Sequence, residues 1–139
     1  MKKTLLNLFS LICVTSLLAG CTSAPSAIQV KVGNEFILSI GQEAHISEEN
    51  LSIIFEDVIE DSRCPLDVTC IWEGRASILV QLTYDDIVYN VVLNEPGLTD
   101  HAVDIFIDYS VSFHLEPYPI EADNISKEDY RLRMTISRQ

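Results

Sequence analysis

Reactive, cationic and aromatic side chains crowd together at one place in this chain: Asp61-Ser62-Arg63-Cys64-Pro65-Leu66-Asp67-Val68-Thr69-Cys70-Ile71-Trp72-Glu73-Gly74. The spacing of Cys64 and Cys70 is not Cys-x-x-Cys, so a thioredoxin-like redox centre is not expected. A zinc site would need further cysteine or histidine ligands, and no histidine lies nearby in sequence. Asp57, Glu60, Asp61 and Asp67 supply the oxygens that calcium takes, but their spacing is not that of a calcium-binding loop. Arg63 and Arg75 are placed to neutralise part of that charge. His45, His101 and His114 have no nucleophile in a recognisable setting such as Gly-x-Ser-x-Gly. No catalytic residue, metal or cofactor is expected.

What this stretch offers is contact. Arg63, Leu66, Asp67 and Trp72 are the candidate binding residues, on a short constrained loop. Trp and Arg are the residues most enriched at binding hot spots. The competing expectation is that Trp72 plugs one end of a β domain against the cysteines, with Gly74 permitting the exit into the next strand. Lone tryptophans in small β domains are usually packed.

The start of the chain carries a different chemistry. Lys2 and Lys3 precede an apolar run over residues 5–18, interrupted only by Asn7, Ser10, Thr15 and Ser16. The run is short for a membrane span of about 20 residues and reads as a cleaved export signal, residues 1–20. Small residues at Ala19 and Gly20 fit a peptidase pocket, and the Cys21 thiol can take a diacylglycerol. Leu18-Ala19-Gly20-Cys21 resembles the lipobox of bacterial lipoproteins. That resemblance implies thioether lipidation of Cys21, cleavage before it and acylation of the new amino terminus. It therefore implies a cell-envelope protein anchored to a bacterial membrane through lipid on Cys21. Thr22 replaces the aspartate that often retains such proteins at an inner membrane, which favours an outer membrane where one is present.

The cysteines can now be counted. Of four, Cys13 leaves with the signal and Cys21 takes lipid, so Cys64 and Cys70 remain in an oxidising compartment. A disulfide between them is expected, and closing a loop of about 7 residues restricts the unfolded chain by roughly 2 kcal/mol. Removing Lys2 and Lys3 from the nine basic residues leaves seven against 21 acidic ones, a net charge of about −14. Such a surface repels nucleic acid. The expected partners are the membrane and an envelope protein.

The elements that must position the loop are strands. Residues 22–27 are small and carry one proline, so residues 21–27 read as a flexible, lipidated tether. From residue 28 the alternation of apolar and polar residues predicts strands over 28–32, 35–40, 44–46, 51–59, 75–84, 87–93 and 130–136. Within 51–59, Leu51, Ile53, Phe55 and Ile59 are expected on one face, with Ile54 and Val58 opposite. Asp85-Asp86 reads as a tight hairpin turn and residues 94–100 as a loop. The apolar alternation over 103–115 is long for one strand, and a bend near Asp108 is expected. Ser126-Lys127-Glu128-Asp129 predicts a single helical turn. The fold class is all-β: a small antiparallel sandwich or barrel of about 7–9 strands, in one domain over residues 28–139.

The Asp-Ser-Arg-Cys-Pro…Cys-x-Trp-x-Gly motif, with Pro117-Tyr118-Pro119 and Tyr130 before an alternating final strand, is similar to a pattern in small bacterial envelope proteins of unassigned function. That resemblance implies a secreted all-β module and no activity. The expected function is a non-enzymatic binding or structural module of the envelope. The alternative is a small extracytoplasmic hydrolase or ligand carrier whose site forms only in three dimensions.

Overall fold

Alternating side chains dictate a two-sided strand, and two sheets that each bury one face must pack on each other. The computed structural model describes residues 27–99, 101–121 and 125–139. The expected signal peptide, Cys21 and the rest of the expected tether before residue 27 lie outside them. The described residues form β1 (Ile28–Lys31), β2 (Glu35–Ser39), β3 (Glu43–Ser47), β4 (Leu51–Asp61), β5 (Arg75–Tyr84), β6 (Ile87–Pro96), β7 (Ala102–Phe106), β8 (Tyr109–Glu116) and β9 (Arg131–Arg138). One sheet has the order β1-β3-β4-β5-β6 and the other β2-β9-β8-β7. The result is a small β-sandwich. All strand pairs are antiparallel except β1 with β3, which is parallel.

The core is the two inner faces. Ile53, Phe55, Ile78, Val80 and Leu82 of the first sheet and Leu38, Phe113, Leu115, Leu132 and Met134 of the second are buried. Burial of one such side chain is worth about 1.5–3 kcal/mol. At one side of the sandwich the sheets close on each other through Tyr89 of β6 and Phe106 of β7, whose rings meet edge to face 5.2 Å apart.

Three local features depart from simple alternation. The register of β4 against β5 slips between Phe55 and Asp57 and again between Val58 and Glu60. Each slip places one extra residue in β4, first Glu56 and then Ile59, and each extra residue reverses the parity of the strand beyond it. Val58 therefore joins the core, Ile59 is expelled to 56% exposure, and Asp61 returns to the inner side opposite buried Ala76. The expectation of Ile59 inside and Val58 outside is thus corrected. Second, β6 continues through Asn94, Glu95 and Pro96, where a loop is expected, because these residues pair with Ser77, Ala76 and Arg75. Third, Ser126 precedes the short helix Lys127–Asp129 without capping it through its side chain.

The two turns behave as expected. Asp85 and Asp86 both have positive φ, 47° and 64°, the pattern of a tight hairpin turn that Asp tolerates. Asn50 holds this turn: its Nδ2 donates to Asp85 Oδ1 (2.9 Å), and its carbonyl accepts the Asp85 amide (3.0 Å). The break near Asp108 separates β7 from β8.

The slips make a test. Ile53 and Ile59 have the same parity in β4, yet only Ile53 is buried. Ile53→Ala is expected to cost about 2–5 kcal/mol, and Ile59→Ala to stay within about 0.5 kcal/mol, in urea unfolding. Equal losses would refute the register.

Candidate functional site

The second slip in β4 delivers Asp61 to one end of the sandwich, and the cysteine loop begins there. The loop's base continues the hairpin: the Ser62 amide donates to the Arg75 carbonyl (2.8 Å) and the Cys64 amide to the Glu73 carbonyl (3.0 Å). Gly74 has φ +70°, and a Cβ there would lie 1.8 Å from the Ser62 carbonyl oxygen, so only glycine fits. A Cβ on Gly97 would lie 1.9 Å from the Glu73 carbonyl oxygen. These two glycines let the loop exit lie flat against the end of β6. Cys64 and Cys70 are disulfide-bonded. The loop is also tied to the chain after β8, because the amides of Leu66 and Asp67 donate to the carbonyls of Pro119 (3.2 Å) and Ile120 (3.1 Å).

Arg63, expected on the contact surface, is instead buried, with 3% of its surface exposed. Its guanidinium forks onto Asp61: Nε donates to Oδ1 (2.8 Å) and Nη2 to Oδ2 (2.7 Å). Nη1 donates to the Leu115 carbonyl (2.7 Å), and Nη2 also to the Pro117 carbonyl (3.0 Å). The carboxylate of buried Glu95 lies 3.8 Å from Nη1, and the Tyr118 ring sits 5.0 Å from the guanidinium carbon. The physical reason is charge balance. A buried cation requires counter-charge and filled donors, and this end of the sandwich supplies both. Burial works against the charge, but the hydrogen bonds and charge of Asp61, with the charge of Glu95, raise the Arg63 pKa overall.

The surrounding polar groups are filled in turn. Asp61 Oδ2 also accepts from the Tyr130 hydroxyl (3.0 Å). Burial and the neighbouring Asp61 push the Tyr130 pKa up to about 12. Glu95 Oε2 accepts the Leu115 amide (2.9 Å), and Oε1 pairs with His114 Nδ1. The Tyr118 hydroxyl sits between the carbonyls of Cys64 (3.0 Å) and Gly97. Among the described residues, no buried side-chain nitrogen or oxygen lacks a partner.

The loop's apolar side chains go the other way. Trp72 is 77% exposed, Ile71 95% and Leu66 71%. Val68 is exposed as well, and so are Leu98 after β6 and Ile120 after β8, which belong to the same end. Trp72 does not plug the sandwich, because the glycine exit and the disulfide hold its backbone outside the core. Asp67 and Glu73 are exposed beside it. Of the four candidate contact residues, Leu66, Asp67 and Trp72 are exposed in the loop, and Arg63 is the support beneath them.

The other candidate chemistries disperse. Asp57 pairs with Lys127 (2.7 Å), Glu60 with Arg75 (3.6 Å) and Asp61 with Arg63, so these carboxylates neutralise cations instead of converging. Among the described residues, no three His, Cys, Asp or Glu side chains form a metal-sized group. His114 borders a cleft of 320 Å³ with Leu66, Gly97, Leu98, Thr99 and Tyr118. The hydroxyls lining it belong to Thr99 and Tyr118, and that of Tyr118 is engaged by backbone carbonyls.

Sequence reasoning misses Glu95, Tyr118 and Tyr130 as supports, and Ile71, Leu98 and Ile120 as part of the exposed end. Only the Asp61–Arg63 spacing signals part of this: residues two apart in extended chain share a face. Comparisons with protein families, curated proteins and solved structures found no match to this chain.

The buried cluster can be tested by mutation and by pH. Arg63→Ala leaves Asp61 and Glu95 buried without their cation and is expected to cost about 3–5 kcal/mol. The exposed partner swap Glu60→Ala is expected to cost less than about 1 kcal/mol. Chemical denaturation of both variants measures the contrast. For Tyr130 the sign is set by its raised pKa, because the fold favours the protonated phenol. Stability is therefore fully present below the ordinary tyrosine pKa near 10 and falls as pH rises through about 12. Denaturation midpoints measured across that window should decline for the native chain. The decline should be shallower for Tyr130→Phe; an identical slope would sink the assignment.

Proposed function

We propose that this chain is a lipid-anchored protein of the bacterial cell envelope whose β module acts by binding rather than catalysis. Its contact surface is the disulfide-bonded loop with the neighbouring turns. One observation carries the reading: Leu66, Ile71 and Trp72 are held in water on a backbone fixed by Arg63, two tightly placed glycines and a disulfide. A loop of that composition would bury its tryptophan if it were free to do so. Clustered exposed apolar side chains mark interaction sites, and rigid presentation lowers the entropic cost of binding. The lipid attachment at Cys21 rests on Leu18-Ala19-Gly20-Cys21 and the preceding export signal. An outer membrane is the favoured site where one exists.

The test has two arms in intact cells. Radiolabelled palmitate should label the native chain and not Cys21→Ser; label retained by the variant would overturn the anchor. A photoreactive residue at position 72 should give a specific adduct, with protein or with lipid. The same residue at position 133, on the opposite sheet, should give none. Equal or absent adducts would remove the loop as the contact surface.

A further inference from the structure

We infer that the loop end of the sandwich docks onto the bilayer that holds the lipid of Cys21, with Trp72 at the headgroup boundary. This rests on the anchored reading above and names the occupant of the same surface. The chain's point of entry carries the inference. Ile28 pairs with Ala44, and Ala44 pairs with Ile53, so β1 starts level with the third residue of β4, near the end away from the loop. β1 runs parallel to β3 and therefore away from the loop end, and the chain reaches Ile28 from the loop side. Because β4 carries two extra residues, the rise from Ile53 to Asp61 is the six paired steps from Leu82 to Ala76, roughly 20 Å, and the cysteine loop extends beyond it. Residues 21–27 can span at most about 25 Å when fully extended. A lipid at Cys21 thus reaches a bilayer lying at the loop end only if residues 21–27 are drawn out nearly fully, which leaves no slack to let that end stand far from it.

The two ends of the molecule also differ in chemistry. The loop end exposes Leu66, Ile71, Trp72, Leu98 and Ile120. These are the residue types that enter a membrane interface, and tryptophan prefers its headgroup level. The far end exposes Glu48, Asp85, Asp86 and Asp108, which favour water, and its exposed Ile87 and Ile107 each sit next to one of these acids. Asp67, Glu73 and Glu121 are exposed near the loop, so a zwitterionic surface suits this end better than an anionic one.

Trp72 is the only tryptophan, so its fluorescence reports this loop alone. The lipidated full-length mature protein is reconstituted into phosphatidylethanolamine–phosphatidylcholine vesicles carrying bromine on the upper acyl chain. Flotation with the vesicles reports the anchor, and bromine quenching reports the loop. Emission is expected to fall roughly twofold against unbrominated vesicles. The exposed double variant Ile71→Ser, Leu98→Ser should float equally and be quenched far less. Flotation without quenching overturns the docking and leaves the anchor standing. A protein adduct at position 72 in cells would then assign this end to a protein. Failure to float overturns the anchor, and the docking with it.

Discussion

A guanidinium taken out of water is the constraint on which this end of the molecule depends. Arg63 sits where β4 leaves the first sheet, and it donates to the carbonyls of Leu115 and Pro117, at the end of β8 in the second. Apolar packing between two sheets is non-directional and tolerates sliding. Hydrogen bonds from a planar, rigid fork do not. Asp61 provides the matching carboxylate, on the inner side because the second extra residue in β4 undoes the reversal made by the first. Glu95 provides the second negative charge and is itself held by the Leu115 amide and His114. Each partner thus has a second hold, and the cluster is closed by the Tyr130 and Tyr118 hydroxyls.

That closure explains how a tryptophan can remain in water. A side chain of this size gains several kcal/mol by finding an apolar pocket. Here the backbone that carries it is not free to move. Gly74 and Gly97 put backbone against backbone where no Cβ would fit. The disulfide closes the loop, and the Leu66 and Asp67 amides fix it to Pro119 and Ile120. The exposure of Trp72 is therefore imposed by polar and covalent contacts that outweigh the apolar gain of burial.

The legible part of the chain is the part governed by local period. β5 alternates without interruption, and Ala76, Ile78, Val80 and Leu82 are all buried. The hairpin at Asp85-Asp86 and the break near Asp108 arise from turn chemistry within a few residues. β4 is only half legible. A bulge adds one residue and reverses the faces, and nothing in the composition around Glu56 or Ile59 announces it. Arg63 is hidden for a longer-range reason. Its carbonyl partners at Leu115 and Pro117 lie 52 and 54 residues away, and Glu95 falls at a strand end that resembles a loop beside Pro96 and Gly97. An arginine next to a loop cysteine looks exposed until the second sheet is in place. Trp72 carries the opposite bias, because the usual fate of a lone tryptophan is burial.

The charge distribution argues for how the domain would meet a surface in the proposed anchored state. With 21 acidic residues in the chain, acids recur over both sheets and at the far turns. The main cations of the second sheet are already committed, Arg133 to Glu35 and Glu116, and Arg138 to Glu49. Laying a sheet face on a membrane would bring that acidic surface against the headgroups over a wide area, with Arg131 the cation of β9 that has no carboxylate partner among the described residues. The loop end is different in kind. The amides of Ser62, Cys64, Leu66 and Asp67 are engaged by backbone carbonyls, and Leu66, Ile71, Trp72, Leu98 and Ile120 point outward. The charges that hold this end together are already paired beneath the surface, so polar desolvation on contact falls on Asp67, Glu73 and Glu121 at its rim. The proposed upright contact through this end would rest on the arrangement that keeps Arg63 neutralised inside: the charge is balanced within, and the hydrocarbon is left outside.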